Sequence, residues 1–95
     1  MIAFEWDPEK AQANLRKHGV TFTEAVSVFR NPLSCSVFDP DHSSEEDRFI
    51  TIGISRADRI LVVAHTERRV SIRIISARKA TRKERKAYED EIKSE

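Results

Sequence analysis

The sequence has 95 residues, of which 39% are hydrophobic and 35% are charged, with a formal net charge of +1. Its longest apolar run, Ile60–Ala64, is too short to cross a bilayer, and a single cysteine, Cys35, excludes an internal disulfide. We therefore expect one domain spanning residues 1–95, located in the cytoplasm, with no membrane association.

The N-terminal part predicts a short strand followed by a helix. Residues Ile2–Trp6 alternate weakly between apolar and polar side chains, as in a strand. Asp7 is a suitable N-cap, and Pro8 fits the first position of a helix. Gly19 provides the left-handed conformation that ends it. The spacing therefore predicts a helix between Asp7 and Gly19.

A second helix and a series of strands follow. Thr21-Phe22-Thr23-Glu24 is a capping box, and Asn31-Pro32 ends the helix that it begins. A second capping box, Thr81-Arg82-Lys83-Glu84, opens a final helix that runs to about Lys93. Four strands are predicted between these helices: Ser34–Phe38, Phe49–Ile54, Arg59–Glu67 and Ser71–Ala77.

The order of these elements predicts an α+β fold. The last two strands are separated by three residues, so they should form an antiparallel hairpin. We expect an antiparallel β-sheet meander, with two N-terminal helices and one C-terminal helix packed on it. The acidic loop at residues 39–47, which contains His42, is interpreted as a solvated segment. It lacks the glycine and the final bidentate acid of a calcium loop.

Positive charge is concentrated near the carboxyl end. Residues 68–86 hold nine lysines and arginines against one acid, Glu84, which gives a local net charge of +8. A block of this density is expected where a protein binds a polyanion, although a solvated charged surface would have the same composition.

The charges on the final helix are poorly placed for helix stability. Arg82, Lys83, Arg85 and Lys86 occupy its first turns, beside the positive end of the helix dipole. Each such charge costs about 0.3–1 kcal/mol when exposed. Free amides and flexible cations at one helix start would instead suit a phosphate group. The pattern therefore favours an anionic ligand.

A candidate catalytic group lies in the hairpin that precedes this helix. His65 and Glu67 are two residues apart in a strand, so their side chains leave from the same face. A two-residue loop that pairs Glu67 with Val70 would put Arg73 on the opposite face. A three-residue loop that pairs Glu67 with Ser71 would set Arg73 across from His65. The sequence leaves both registers open.

If these side chains converge, they could cleave RNA without a metal or cofactor. His65 and Glu67 would transfer protons, while Arg73 and Arg78 would stabilise the developing phosphorane charge. A packed or surface imidazole is the alternative interpretation of His65. The histidine and cysteine spacing fits no zinc site. Further candidate residues for RNA or phosphate binding are Arg48, Arg68, Arg69, Lys79, Arg82, Lys83, Arg85, Lys86 and Tyr88.

Several segments resemble the BrnT family of bacterial toxins. The similarity starts at Phe4–Ala11 and Asn14–Val20, and it continues through Phe38-Asp39-Pro40-Asp41-His42. It resumes at Val62–Arg68 and runs through Ile72–Thr81 to Glu84 and Tyr88. The resemblance implies a RelE-like fold and an endoribonuclease that arrests translation. The resemblance places its site at the His65–Arg68 and Arg73–Arg78 segments.

The resemblance also implies a protein partner. This is a BrnA-like antitoxin with a ribbon-helix-helix-like DNA-binding region, in a hetero-oligomer that represses the shared operon. The toxin would meet operator DNA only through that complex, and RNA would be its substrate. Two other functions fit the sequence: a non-catalytic basic module that binds nucleic acid or protein, and a RelE/ParE-like toxin with a non-RNA target. If the protein is an RNA-cleaving toxin, we expect the cations to converge on one anion-binding hollow with His65 at its rim.

Overall fold

The computed structural model describes residues 2–42 and 46–93, and the predicted order of elements is confirmed. The helices are α1 Pro8–His18, α2 Phe22–Phe29 and α3 Arg82–Lys93. The strands are β1 Ala3–Glu5, β2 Cys35–Asp39, β3 Arg48–Ile54, β4 Ile60–Glu67 and β5 Ser71–Lys79. A short 3₁₀ turn, Pro40–His42, follows β2. Residues 43–45 of the predicted acidic loop lie outside the described residues.

The first two helices have the predicted ends. The Asp7 carboxylate accepts a hydrogen bond of 2.8 Å from the Glu9 amide. Gly19 adopts the left-handed conformation at φ 68° and its amide donates to the Leu15 carbonyl. The Thr21 hydroxyl accepts 3.0 Å from the Glu24 amide. These local contacts explain why both helices could be located from the sequence.

The five strands form one mixed sheet in the order β1-β5-β4-β3-β2. Strands β2 to β5 form the predicted antiparallel meander. The all-antiparallel prediction is wrong for β1, which pairs in parallel with β5 through Ala3 and Ser71. Apolar alternation reveals that a segment is a strand but does not identify its neighbour, so this pairing was not visible in the sequence.

The hairpin register differs from both alternatives considered above. Arg68 and Ser71 exchange backbone hydrogen bonds of 2.8 and 3.3 Å around a turn at Arg69 and Val70. Glu67 therefore pairs with Ile72. Arg73 then lies opposite Thr66, and not opposite His65.

Helices α1 and α2 pack on one face of the sheet, which we call the inner face. The hydrophobic core lies between these layers and contains Val20, Phe22, Ala25, Val28, Leu61, Val63, Ile72, Ile74 and Ala77. Buried Asn14 of α1 fastens the layers together. Its side-chain amide donates to the Ala77 carbonyl at 2.8 Å, and its side-chain oxygen accepts from the Ala77 amide at 3.1 Å. Asn14 thus takes the place of a neighbouring strand where β1 ends.

Helix α3 lies against one end of the opposite, outer face. Tyr88 is 3% exposed, and its phenol donates 2.9 Å to the Leu33 carbonyl. Ala87 and Tyr88 share a small cavity with Cys35 and Ile52. The other end of the outer face carries no helix among residues 2–42 and 46–93. None of the helices in those ranges combines the length and apolar character needed to span a membrane.

Candidate RNA-cleavage site on the outer face

A row of polar side chains crosses the outer face at its helix-free end. The strand registers pair Asp39 with Arg48, Arg48 with Thr66, Thr66 with Arg73, and Arg73 with Glu5. Directly paired residues project from the same face, so all five belong to one polar row. Strands lie about 4.8 Å apart, which puts the backbones of Arg48 and Arg73 about 10 Å apart. Two long guanidinium side chains thus flank Thr66.

Thr66 occupies the centre of the polar row. It is 1% exposed, and its hydroxyl has no hydrogen-bond partner in the described part of the chain. Buried hydroxyls in folded proteins usually have a partner, so this one marks an unusual position. The unpaired hydroxyl therefore lies between two arginines on the same face.

A second row, which we call the apolar row although it ends in a serine, runs beside the polar row, two residues further along β2, β3 and β4 and three residues further along β5. Its members, paired in order across the sheet, are Val37, Ile50, Ala64 and Ser76. Val37 is 61% exposed, and the other three are half-buried. A row further along holds Cys35, Ile52, Val62 and Arg78, beneath α3. The outer face therefore offers the polar row beside the apolar row, and α3 residues share a cavity with members of the row beyond them.

A β-bulge brings Arg73 and Arg78 onto the same face. His65 pairs with Ile74 and Ala64 pairs with Ser76, so Ile75 has no partner in β4. In a regular strand, residues five apart project from opposite faces. The extra residue at the bulge corrects this odd spacing. Both arginines consequently project from the outer face, about 13 Å apart along the sheet.

Arg78 is already engaged by an acid from α3. Its guanidinium makes a bidentate pair with Glu84, at 2.7 and 2.9 Å. That contact is the main reason why the pKa of Glu84 is lowered to about 2. Glu84 also accepts 2.8 Å from the Thr81 amide, and the Thr81 hydroxyl accepts from the Glu84 amide. The capping box is confirmed, and it occupies two of the amides expected to be free for a phosphate.

The hairpin arginines are less strongly paired. Arg68 reaches Glu5 and Glu46, each at 3.2 Å, and both of these acids are well exposed. Arg73 has only a 3.9 Å approach to Glu5. Exposed pairs of this kind contribute little to stability, so a phosphate could readily replace them. Arg73, which lies between Thr66 and Glu5 in the polar row, is thus held only weakly by an acid.

His65 does not lie with these arginines. It is 0% exposed on the inner face, where its Nε2 is 2.7 Å from the Thr51 hydroxyl oxygen. Its ring packs between Phe29 and Phe49, at centroid distances of 4.8 and 6.0 Å. Burial lowers the pKa of His65 to about 4. The expectation that this ring borders an anion-binding hollow is therefore wrong.

The other predicted site residues are divided among different surfaces. Glu67 belongs to the inner-face set of β4 and is exposed at the hairpin end. Buried Tyr88 anchors α3, so it is not available to stack on a base. Lys79 and Arg85 line a cleft of about 570 Å³ with Arg59, near the β3–β4 turn. The remaining predicted cations are exposed: Arg69, Arg82, Lys83 and Lys86.

The expected convergence of all the cations on one hollow is thus wrong. The polar row lies at the hairpin end of the sheet, and the cleft with Lys79 lies near the opposite end. In addition, Arg59 of that cleft is engaged by Glu24, whose pKa is lowered mainly by this contact. Within residues 2–42 and 46–93, no group of three or more histidines, cysteines and acids is arranged to hold a metal ion.

Comparison with known proteins identifies the family. The model of the family described as "Ribonuclease toxin, BrnT, of type II toxin-antitoxin system" matches residues 6–84. The chain belongs to the BrnT family. It is accordingly a ribonuclease toxin of a type II toxin–antitoxin system, and its antitoxin is a protein. The predicted family and enzyme class are confirmed.

One solved structure supports the fold of this BrnT-family toxin. The Brucella abortus ribonuclease toxin BrnT, known from a crystal structure, is 24% identical, with a TM-score of 0.63. The match covers 86% of this chain and 100% of that one. It confirms the predicted α+β fold. No curated protein matches the chain at a significant level.

Two residues of the polar row and one residue in contact with it were not among the predicted site residues. Thr66 was passed over in favour of its neighbour His65, and Asp39 and His42 were assigned to a solvated loop. In the structure, His42 Nδ1 lies 2.9 Å from Asp39 Oδ2. The Phe38–His42 segment carried part of the family resemblance, and this signal could have drawn attention to both residues.

Proposed function

We propose that this toxin binds RNA across the outer face and cleaves it internally at the polar row. The observation that carries the proposal is the alignment of Arg48, Thr66 and Arg73 beside the apolar row. Arginine guanidinium groups suit phosphate because they offer several donors in a fixed plane. Bases of the RNA could lie on the apolar row, while the RNA backbone follows the polar row.

The proposed reaction uses the RNA's own 2′-hydroxyl and requires no metal ion. A base accepts the hydroxyl proton, the 2′-oxygen forms a bond to the adjacent phosphorus, and the bond to the 5′-oxygen breaks. Arg48 and Arg73 stabilise the negative charge that develops on the phosphorane oxygens. The products are a 2′,3′-cyclic phosphate and a 5′-hydroxyl end.

Arg78 has a supporting part in this proposal. Its bidentate contact with Glu84 joins β5 to the start of α3. The two groups neutralise each other, so Arg78 adds less free charge than Arg73. We propose that Arg78 holds α3 in position next to the bound RNA. The exposed cations of α3 would then contact phosphates further along the strand.

Cleavage of labelled RNA in the presence of EDTA tests this proposal. Arg73→Ala and Arg48→Ala should each lower the single-turnover rate by about 10²–10³-fold, as loss of a charge-stabilising donor does. Arg30→Ala is the matched control, because Arg30 is an exposed arginine at the end of α2. Cleavage that proceeds normally in both outer-face variants would contradict the proposed site. Cleavage that stops in EDTA would contradict the metal-independent route.

We further propose that the antitoxin is BrnA-like and covers the outer face in a hetero-oligomer. The +8 charge of residues 68–86 repels itself, and a partner with acidic and apolar side chains would relieve this repulsion. In this proposal the complex forms in the cytoplasm, and it contacts operator DNA through a ribbon-helix-helix-like region of the antitoxin. Co-expression with the neighbouring reading frame should give a complex that no longer cleaves RNA. A complex that leaves cleavage unchanged would contradict the covering of this face.

A further inference from the structure

His42 is an exposed imidazole oriented by a carboxylate. It closes the 3₁₀ turn Pro40–His42, directly after β2. Its Nδ1 lies 2.9 Å from Asp39 Oδ2, and the His42 side chain is 66% exposed. When Nδ1 donates its hydrogen to the carboxylate, Nε2 is left as the acceptor nitrogen. The ring therefore offers a proton acceptor in a defined orientation.

Asp39 connects this imidazole to the polar row. The Asp39 side chain is 17% exposed, and its residue pairs with Arg48 in the β2–β3 ladder. Asp39 is thus the β2 member of the row that contains Thr66 and Arg73. The imidazole held by Asp39 consequently lies at the β2 end of the polar row.

The chain's other two histidines are placed differently. His65 is enclosed on the inner face between two phenylalanine rings. His18 is in the last turn of α1, where a basic residue favours the negative end of the helix dipole. Both structural settings account for those histidines without any role for RNA. His42 is the histidine that combines exposure, a carboxylate partner and a place at the polar row.

We propose that His42 is a catalytic residue of the toxin and that Asp39 is its positioning residue. This inference rests on the proposed cleavage at the polar row. His42 Nε2 accepts the proton of the 2′-hydroxyl while the 2′-oxygen forms its bond to phosphorus. The phosphorus–5′-oxygen bond breaks, and a water molecule protonates the 5′-oxygen. The hydroxide that remains takes the proton from the imidazolium, so the ring returns to its neutral form.

The surroundings of the ring determine how its activity depends on pH. Asp39 contacts the ring, and Asp41 belongs to the same turn. On the β3 side, the charged groups of the described chain are Glu46, Asp47 and Arg48. Only the neutral ring can accept a proton, so the pH–rate profile of cleavage reports on this group.

Single-turnover cleavage with His42→Ala tests the assignment, and His18→Ala is the matched control. The His42 variant should lose about 10²–10⁴-fold in rate while it retains RNA binding, as expected for loss of a proton-transfer group. Added imidazole should restore part of the activity in that variant only. A His42→Ala rate within about twofold of wild type, or a large loss without rescue by imidazole, would overturn the role in proton transfer.

Asp39→Asn separates positioning from simple folding. The variant keeps the size of the side chain but no longer provides a charged acceptor for Nδ1. We expect a loss of about 10–100-fold in rate, a shifted pH–rate profile and an unchanged unfolding midpoint, by analogy with partners that orient other functional histidines. An unchanged pH–rate profile would overturn the role of Asp39.

These experiments also distinguish this inference from the proposed binding site. Full activity in His42→Ala, combined with inactive Arg73→Ala, would overturn the histidine assignment and support cleavage at the polar row. A second outcome is that His42→Ala is inactive and rescued by imidazole while Arg48→Ala and Arg73→Ala remain fully active. This outcome would support His42 as a catalytic residue. It would at the same time contradict the arginine assignment.

Discussion

Mild acid is expected to destabilise the folded toxin through His65. The buried ring has a pKa of about 4, whereas an ordinary histidine in the unfolded chain titrates near 6.5. The unfolded state therefore binds a proton over a pH range in which the folded state does not. The stability contributed by the neutral ring is complete above pH 6.5 and declines as the pH falls from 6.5 towards 4.

The size of the effect follows from these two pKa values. Linkage gives a loss of about 2 kcal/mol between pH 7 and pH 5, and of about 3 kcal/mol once the pH is well below 4. His65 is 0% exposed, so solvent screening does not reduce this figure as it would for a surface group. Since domains of this size have only about 5–15 kcal/mol of stability, the loss should be easily measured.

Urea unfolding of wild type and of His65→Leu at pH 7 and pH 5 checks this prediction. Leucine has a similar volume, and Thr51 keeps its 2.6 Å contact with the Ser36 hydroxyl in the variant. The free energy of unfolding should fall by about 2 kcal/mol more in wild type than in the variant between the two pH values. His65→Gln serves as a second variant, with expected behaviour like that of His65→Leu. Parallel losses in wild type and both variants would refute the reasoning.

Two further predictions concern the connections of β5. Asn14→Ala leaves the buried amide and carbonyl of Ala77 without partners, which should lower the free energy of unfolding by about 2–5 kcal/mol. Gln12→Ala, an exposed control on α1, should change it by under about 0.5 kcal/mol. Thermal unfolding measures both variants, and equal midpoints would contradict the bridging role of Asn14. Glu84→Gln should remove the part of the acid sensitivity that comes from this pair: the stability contributed by the wild-type pair with Arg78 is complete above the usual glutamate pKa of 4.5 and is lost as the pH falls through about 2. Circular dichroism of both proteins from pH 5 to pH 2 checks this, and identical acid profiles would exclude it.

Most of the fold could be predicted from local signals in the sequence. Asp7 with Pro8, Gly19 and the two capping boxes each specify a helix end through contacts within a few residues. Such signals need no knowledge of the tertiary structure. The parallel pairing of β1 with β5 depends on contacts between residues nearly 70 positions apart in the chain, such as Ala3 and Ser71. No local pattern encodes that choice.

The candidate site was only partly predictable. The sequence drew attention to β5 and its arginines, which the structure places on the outer face, but it favoured His65 because of its residue type. Leu61, Val63 and His65 are spaced two apart, and the first two are buried on the inner face. This alternation already assigned His65 to the core side of β4. The grouping of Asp39 and Arg48 on one face required the β2–β3 register, which the sequence does not specify.

The unpaired residue Ile75 determines which face of the sheet the following side chains of β5 occupy. Arg73 and Arg78 are five residues apart, and they project from the same face only because the β-bulge at Ile75 adds one residue between them. Insertion of a single residue beside Ile75, with the bulge kept, would leave every charged residue in the chain and yet turn one of the two arginines towards the apolar interior. The placement of both arginines on one face therefore depends on the spacing of residues in β5 as well as on their charge.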